Sequence, residues 1–239
     1  MNSNNKEPLF SIITTTYNRT RFLEDCLTSL YQQDCTDYEH IIVDGNSNDG
    51  TFELVNNVTE KYKDKRIRIY QREPKGVYDA FNFAIKKVNG KYIHLLNSDD
   101  YFANNKVLSN IKKIILENNY PNWIQGVRIM NHHGIEQKSS RLREPFGHQQ
   151  AFIKKSVHDE IGLYNLDYNY SADIEFHLRL KSYTKPVWIN IETVIQNVHK
   201  DSLTMSWKGQ ARWIPEVVKI YTKYYTEKLR KNGGAEDRS

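Results

Sequence analysis

The chain has 239 residues, 38% of them hydrophobic and 26% charged, with 11 glycines and 6 prolines. This composition excludes a disordered or fibrous protein and leaves room for one large globular domain or two small ones. The formal net charge of +5 comes from 34 basic and 29 acidic residues mixed along most of the chain. Because the basic and aromatic residues form no recognised nucleic-acid module, we expect no nucleic-acid partner.

The first residues lack the basic and apolar regions of a signal peptide, and no apolar run approaches the roughly 18 residues that a membrane span needs. We therefore expect a cytoplasmic location. The two cysteines, Cys26 and Cys35, fall on an apparent apolar helix face and in the loop after it. They indicate neither a disulfide scaffold nor a metal framework.

Apolar strands alternate with amphipathic helices in the first half of the chain, which predicts a parallel sheet covered on both faces. The first helix has apolar residues at helical spacing, and Asn18 or Thr20 can cap it. Strands are predicted at 10–17, 40–43, 66–70 and 92–96, and helices at 20–30, 51–62 and 77–88, with Gly90 ending the last of them.

The second half predicts mixed β structure, in which Ser156 and Ser171 can each cap a helix. Helices are predicted at 106–118, 156–162 and 171–181, a hairpin at 123–130 and 135–138, and further strands at 148–153 and 187–195. A long basic and aromatic helix over 206–232, bent or interrupted near Pro215, completes the chain. Its surface could rest on anionic membrane headgroups, or the helix could simply pack on the domain with a solvated basic face.

Two acidic turns follow predicted strands of the sheet. Asp44 begins one turn, and Asn97, Ser98, Asp99 and Asp100 form the other. Ligands bind outside the carboxyl ends of strands in open α/β sheets, so both turns could line one crevice. Asp99 and Asp100 offer the oxygen ligands that Mg²⁺ or Mn²⁺ prefers. The alternative is a solvated turn that caps the next helix.

In their order along the chain, these motifs resemble the family-2 glycosyltransferases of the GT-A fold. The resemblance covers roughly residues 8–200 and depends on five segments, 11–18, 42–51, 76–82, 96–100 and 148–149, followed by Ala172-Asp173. It implies an α/β fold with a Rossmann-like, mainly parallel sheet flanked by helices. We divide the chain into a nucleotide-sugar-binding half at 1–103, an acceptor and catalytic half of the same domain at 104–205, and a C-terminal helix and tail at 206–239.

The resemblance also implies a nucleotide-sugar donor and a metal-dependent, inverting transfer to an acceptor hydroxyl. Thr15 and Tyr17 resemble the loop beside the nucleotide base, and Asp44 resembles the carboxylate that accepts a hydrogen bond from the base. Asp44 could instead be a turn residue that caps the following helix. Asp79 and Asn82 share one helix face and could approach the ribose or base, which is the softer of these assignments.

Asp99 resembles the metal ligand of the family's Asp-x-Asp element, and Asp100 a second carboxylate that supports the metal or the donor. Asn97 and Ser98 would also contact the donor, but Asn97 stands where a first Asp is common. An amide contributes no charge, so the metal's affinity and even its requirement come into question.

Transfer needs a base, because a sugar hydroxyl is a poor nucleophile until its proton is being removed. Asp173 resembles the family's base, and it lies in the first turn of a predicted helix, where the alternative is an acid that merely stabilises the helix. Glu175 points roughly 200° around the same helix and is a weaker candidate. His148, His199 and Lys200 are expected on the acceptor or diphosphate side.

The leading hypothesis is therefore an inverting glycosyltransferase that uses a nucleotide-sugar, expected to be a UDP-sugar, and a saccharide or lipid-linked acceptor, in cell-surface polysaccharide or glycolipid assembly. A nucleotidyltransferase of related fold is a second hypothesis, but no Gly-rich phosphate loop follows the first strand. A non-catalytic nucleotide-sugar-binding protein is the third hypothesis. The sequence feature that favours it is Asn97, which stands where a first Asp is common.

Overall fold

The structure is a computed structural model that describes residues 7–62, 66–132, 134–138, 147–199 and 207–236, with the side chains of the last helix described over 211–230. Strands and helices alternate in the first half, as the hydrophobic pattern predicts. They are β1 (Phe10–Thr16), α1 (Thr20–Tyr31), β2 (Tyr38–Asp44), α2 (Thr51–Glu60), β3 (Ile67–Gln71), α3 (Val77–Ile85) and β4 (Tyr92–Leu95).

The second half has shorter strands and less regular connections. Its elements are β5 (Asp100–Phe102), α4 (Val107–Glu117), β6 (Trp123–His132), β7 (Ile135–Lys138), a 3₁₀ turn (His148–Gln150), β8 (Ala151–Lys154), α5 (Lys155–Ile161), α6 (Ala172–Tyr183), β9 (Val187–Val198) and α7 (Trp207–Glu236).

One sheet extends through both halves in the order β3-β2-β1-β4-β8-β6-β9-β5, with β7 paired to β6. β3, β2, β1 and β4 are parallel. β8 is antiparallel to both β4 and β6, and β9 is parallel to β6 and antiparallel to β5. The prediction of a mainly parallel first half and a mixed second half is confirmed. The division at 103 and 205 stays a proposal, because the two halves share this sheet.

Alternate residues of the central strands supply two cores, one on each face of the sheet. On β1, Ile12 belongs to one core and Ile13 to the other, as expected when side chains alternate along a strand. Leu27 of α1 and Ile111 of α4 pack on the first face, and Phe176 of α6 packs on the second. The strand ends therefore remain at the sheet edges, where loops can form a site.

Two strands of the structure differ from the prediction. β5 was not predicted, since 97–100 was assigned to a turn, yet Asp100 begins a three-residue strand paired with β9. The predicted strand at 148–153 was half wrong, because 148–150 form a 3₁₀ turn and only the residues after Gln150 are extended.

The predicted helix caps also differ. Asn18 has a positive φ and Thr20 is already helical, while Arg19 occupies the N-cap of α1. Ser156 lies inside α5. Ser171 does occupy the N-cap of α6, but its side chain makes no capping hydrogen bond.

The last helix, α7, continues through Pro215 and packs on α6. Ile220 is its buried contact with the second core. Within the described part of the chain, no helix is both long enough and apolar enough to cross a bilayer.

Candidate active site

The carboxyl ends of β1, β2 and β4 lie side by side at one sheet edge. Ile13 of β1 is in register with Ile41 of β2 and with Leu95 of β4. Asp44 comes three residues after Ile41, and Ser98 comes three residues after Leu95. The two acidic turns therefore begin at about the same height along the strands. Because β1 lies between β2 and β4, the two turns are two strand spacings apart across the sheet, roughly 10 Å. The predicted meeting of both turns at one edge agrees with this register.

Asp44 is fully buried at the end of β2. Ser47 donates to it twice, from the backbone N–H to Oδ2 at 3.0 Å and from the hydroxyl to Oδ1 at 2.6 Å, and Gln71 Nε2 donates to Oδ2 at 3.3 Å. These bonds close the turn between β2 and α2 and satisfy both oxygens. The structure thus shows Asp44 as a turn residue, but Asp44 does not cap α2, whose N-cap is Gly50. Its contact with a base stays a prediction.

Tyr17 follows β1 and is half exposed beside Gly45. A Cβ at Gly45 would lie 3.1 Å from Tyr17 Cδ2 and 3.3 Å from Pro74 Cβ. A side chain at 45 would have to displace this ring or Pro74 by a few tenths of an ångström, so glycine lets Tyr17 lie close against the turn. Thr15 lies in β1 itself and is only partly buried.

Asp79 and Asn82 both make protein contacts on α3. Asp79 Oδ2 pairs with Arg72 Nη1 at 3.0 Å, and the Arg72 guanidinium also covers the Phe83 ring at 4.4 Å. Asn82 is buried and clamps the loop before α6, donating to the Tyr164 carbonyl at 2.8 Å and accepting from its N–H at 2.9 Å. The structure therefore gives Asn82 a structural contact, and its contact with the donor stays a prediction.

Asp100 is buried at the start of β5. Its Oδ1 accepts from the Asn197 N–H at 3.2 Å, and its Oδ2 accepts from Asn97 Nδ2 at 3.1 Å. Burial, together with the neighbouring Asp99 carboxylate, raises the pKa of Asp100 well above its ordinary value. These contacts show how the two adjacent carboxylates coexist, because each Asp100 oxygen accepts a hydrogen bond within the protein. The metal contact of Asp100 stays a prediction.

Asp99 is the more accessible carboxylate of the pair. His199 Nε2 lies 3.0 Å from its Oδ2, and the His199 ring stacks on Phe22 with centroids 4.7 Å apart. Asn197 Nδ2 donates to the Asp99 carbonyl at 2.8 Å. The end of β9 thus fixes Asp99 from two sides. Lys200, predicted to neutralise phosphate, lies outside the described residues.

Asp173 lies in the first turn of α6 and is partly exposed. The Tyr78 hydroxyl donates to its Oδ1 at 2.9 Å. Burial and the Asp173 charge raise the pKa of Tyr78 well above its ordinary value, so the hydroxyl stays protonated as a donor. His148 Nδ1 lies 3.6 Å from Oδ2, which leaves that oxygen without a short bond from the ring.

His148 connects Asp173 to the acidic turn. Its Nε2 lies 3.4 Å from Asn97 Oδ1, while the Asn97 amide donates to Asp100. That donation orients the amide so that Oδ1 faces the imidazole as an acceptor. Asp173, His148 and the 97–100 turn therefore meet in one cluster, together with Tyr78 and His199; we call these residues the carboxylate–histidine cluster.

Glu175, the weaker candidate for a base, is fully engaged elsewhere. Arg179 Nε and Nη2 donate to its two oxygens at 2.8 Å each. A bidentate pair of this kind leaves no lone oxygen aimed at the cluster. The preference for Asp173 over Glu175 agrees with this arrangement.

Two members of this region were missed from the sequence. Tyr78 lies inside the 76–82 segment, next to Asp79, but the sequence pattern indicates no role for its hydroxyl. Asn197 was missed because strand β9 was predicted to end at 195, although it continues to Val198. A hydroxyl next to the predicted donor-side residue Asp79 is the signal that could have found Tyr78, and an amide two residues before His199 is the signal that could have found Asn197.

The residues present fit a cation only if it is bound together with a substrate. No group of three or more His, Cys, Asp or Glu side chains converges as a metal site within the ranges that the structure describes. Asp99 with His199 offers at most two protein ligands. Mg²⁺ is commonly held by one or two carboxylates, with phosphates and water completing its shell, so this sparse set suits a diphosphate complex.

The family model described as "Glycosyl transferase family 2" matches residues 11–166. The chain belongs to glycosyl transferase family 2. This membership confirms the family, and with it the glycosyltransferase class, that the sequence motifs predicted.

Curated relatives agree with the membership. A PGL/p-HBAD biosynthesis glycosyltransferase of Mycobacterium bovis (strain BCG / Pasteur 1173P2) is 31% identical over 178 residues, which cover 72% of this chain and 69% of the relative. The putative teichuronic acid biosynthesis glycosyltransferase TuaG of Bacillus subtilis (strain 168) is 35% identical over 103 residues, covering 43% of this chain and 40% of TuaG.

Solved structures establish the GT-A fold of this family 2 member. S. aureus TarS 1–349 in complex with UDP-GlcNAc superposes with a TM-score of 0.68 at 20% identity, over 80% of this chain and 58% of that chain. The mannosyltransferase PcManGT from Pyrobaculum calidifontis, in complex with GDP-Man and Mn²⁺, gives 0.68 at 17% identity, over 90% and 65%. The chain spans less than two thirds of either solved chain.

Proposed function

We propose that this chain transfers a sugar from a nucleotide-sugar, a UDP-sugar by preference, to the hydroxyl of a saccharide or lipid-linked acceptor, with inversion at the anomeric carbon. The single observation that carries the proposal is the carboxylate–histidine cluster, in which Asp173 is linked through His148 and Asn97 to the turn that also carries Asp99. A base and a candidate metal ligand are thereby held at the carboxyl end of β4, where donors bind in this kind of sheet.

Asp173 supplies the base of the proposed reaction. Its Oδ1 is engaged by Tyr78, which leaves Oδ2 to take the acceptor proton. As the acceptor O–H bond breaks, its oxygen forms the new bond to the anomeric carbon and the bond from that carbon to the diphosphate oxygen breaks. The proton goes to Asp173 and the electron pair to the diphosphate. One such displacement inverts the carbon without a covalent enzyme intermediate.

Asp99 and the donor-side residues hold the substrate in place. Asp99 would hold a divalent cation, Mg²⁺ or Mn²⁺, through its carboxylate beside His199. When bound, the cation supplies positive charge opposite the departing diphosphate. The exposed Tyr17 ring offers a stacking surface for a base. The Mn²⁺ and the nucleotide-sugars named in the neighbouring structures support this assignment.

Replacing Asp173 tests the proposal. Asp173→Asn keeps the size of the side chain but cannot take a proton, so we expect turnover to fall by about 10²–10⁴-fold. UDP binding, measured by isothermal titration with Mn²⁺, should stay near that of the parent. Asp167→Asn, an exposed carboxylate in the loop before α6, is the matched control and should retain full turnover.

Turnover is read as nucleoside diphosphate release from a panel of UDP- and GDP-sugars. Undiminished release by Asp173→Asn would reject Asp173 as the base. Nucleotide binding by the parent without release from any sugar of the panel would instead favour the non-catalytic hypothesis that Asn97 raises.

A further inference from the structure

A chain of buried polar side chains connects α1, β1 and β2 to the acidic turn that follows β4. The Tyr31 hydroxyl lies 2.8 Å from His40 Nδ1, and His40 Nε2 lies 3.0 Å from Thr14 Oγ1. Thr14 is also hydrogen-bonded to the Cys26 thiol, whose Sγ lies 3.3 Å from the Asn97 carbonyl oxygen. The four side chains of this chain are at most 4% exposed. Their hydrogen bonds therefore form without competition from solvent.

Each member of the chain has one proton to donate, and the last acceptor fixes the direction of donation. A carbonyl can only accept, so the Cys26 S–H points to Asn97. The Thr14 O–H then supplies the proton for its bond with the Cys26 sulfur. His40 Nε2 must in turn carry the proton for its bond with Thr14. A neutral imidazole has one N–H, so Nδ1 is bare and accepts from the Tyr31 O–H. All four bonds therefore point from Tyr31 towards Asn97.

Burial keeps each titratable group in the protonation state that this order requires. It lowers the pKa of His40 to about 3, so the imidazole is neutral at ordinary pH. It raises the pKa of the Tyr31 hydroxyl and that of the Cys26 thiol above their ordinary values, so both groups keep their protons as donors.

The Asn97 carbonyl that ends the chain also belongs to the acidic turn. It accepts from the Asp100 N–H at 3.0 Å, which is the bond that closes the turn. The side chain of the same residue bonds Asp100 and lies beside His148. The Cys26 thiol thus holds the backbone of the residue that links the two parts of the carboxylate–histidine cluster.

We propose that Tyr31, His40, Thr14 and Cys26 form a one-directional hydrogen-bond relay that positions the turn carrying Asp99. Apolar side chains would fill the same space without the cost of burying polar groups, but only directional bonds hold a carbonyl in one orientation. In a low-dielectric interior, bonds aligned in this way also strengthen one another. The relay residues act through Asn97 and are positioning residues.

The effect of the relay on the donor rests on the proposed function, whereas the relay itself can be measured without any substrate. Isotope-edited NMR of the His40 imidazole in the parent tests the direction of donation. The proton should reside on Nε2, and Nδ1 should be bare. A proton on Nδ1 with a bare Nε2 would overturn the proposal.

Amide hydrogen exchange of the Asp100 N–H tests the positioning. Thr14→Val keeps the shape of the side chain and removes the hydroxyl, and Cys26→Ala removes the last donor. Each should speed exchange of this amide by about 10-fold, the change expected when one hydrogen bond is lost. Thr14→Ser keeps the hydroxyl and should restore most of the protection. The Lys154 N–H, bonded to a carbonyl between β6 and β8's neighbouring turn, should exchange at the parent rate in every variant.

Thr59→Val is the matched control for Thr14→Val. It removes another buried hydroxyl, one that donates within α2 at 3.2 Å and has no part in the relay, and should leave the Asp100 amide as in the parent. The proposal is overturned if Thr14→Val and Cys26→Ala exchange Asp100 at the parent rate. Equal acceleration at Lys154 would show a general loss of stability and would overturn it as well.

Titration with UDP and Mn²⁺ connects the relay to the donor. Thr14→Val and Cys26→Ala should each weaken UDP binding by about 10-fold, the lower end of the range for outer partners of a metal ligand. Thr59→Val should bind like the parent. Absence of UDP binding in the parent would count against the proposed function, and the His40 tautomer and the Asp100 amide would still decide the relay.

Discussion

Tyr78 is the residue through which α3 reaches the proposed base. Its hydroxyl donates to Asp173 Oδ1 at 2.9 Å, and its ring packs on Tyr164 and Phe81. Within the part of the chain that the structure describes, this hydroxyl donates to the proposed base, so Tyr78 acts as a positioning residue in the proposed reaction. Without it, the carboxylate can rotate away from the acceptor.

Tyr78→Phe should lower kcat roughly 10-fold, because one charge-assisted hydrogen bond is worth about 1.5–3 kcal/mol and only part of it bears on orientation. The KM for the donor should change little, since the donor-side residues are untouched. Tyr164→Phe removes a hydroxyl from the neighbouring ring and serves as the control. Steady-state rates of diphosphate release measure both. A rise in donor KM with constant kcat would contradict the positioning role.

Asp99 and Asp100 are adjacent in sequence, but the structure divides their roles. Asp99→Asn should weaken Mn²⁺-dependent UDP binding by at least about 10-fold, since even outer partners of a metal ligand cost roughly 10–100-fold. Asp100→Asn should leave that affinity near the parent value, because the buried side chain faces Asn97 and Asn197. Isothermal titration with UDP and Mn²⁺ measures the UDP affinity of both variants. Equal losses in both variants would show that Asp100 also binds the cation.

The elements show where sequence reasoning reaches its limit. The parallel strands β1 to β4 could be predicted because their apolar residues and the helices between them are local signals. β5 could not, since three residues have no period and Asp100 pairs with Gln196, 96 positions away in the sequence. The 3₁₀ turn at 148–150 could not be predicted either, because only the fold places His148 beside Asn97 and Asp173, which are distant in the sequence.

The same limit applies to the candidate site. Asp99, Asp173, His148 and His199 could be found from motifs, and the fold brings them together. The occupied state of Asn82 could not, because its partner Tyr164 is 82 residues away and is chosen by three-dimensional packing. The partner of Asp44 is Ser47, three residues on, which is a local turn contact of the kind that the sequence allowed. A motif identifies a residue that could act in the site. Whether its polar atoms are available to a ligand depends on the hydrogen bonds that they already make within the protein.

Asn82 joins α3 to the loop before α6 through two hydrogen bonds, so its replacement should lower the stability of the fold. Asn82→Ala leaves the buried N–H and carbonyl of Tyr164 without partners, so we expect the free energy of unfolding to fall by about 2–4 kcal/mol. Asn57→Ala, exposed on α2, should change it by less than about 0.5 kcal/mol. Urea unfolding measures both. Unchanged stability of Asn82→Ala with weakened UDP binding would restore the predicted contact with the donor.

Three buried imidazoles connect the stability of the whole molecule to pH. His40 lies between the Tyr31 hydroxyl and Thr14, His94 bonds the Ala151 carbonyl between two phenylalanine rings, and His158 stacks on Phe176. Burial lowers the pKa of His40 and His158 to about 3 and that of His94 to about 4. In the unfolded chain each would titrate near about 6.5.

The folded protein therefore binds fewer protons than the unfolded chain below about pH 6.5, so the stabilisation is complete above that pH and is lost as pH falls. Between pH 6 and 5 the three histidines together should remove about 3–4 kcal/mol from the free energy of unfolding. His158→Leu should reduce this loss by about a third, since one proton fewer is taken up. Ile161→Val on the same helix should leave the loss unchanged. Urea unfolding at both pH values measures it, and an equal loss in His158→Leu and the parent would show that His158 is not neutral in the folded state.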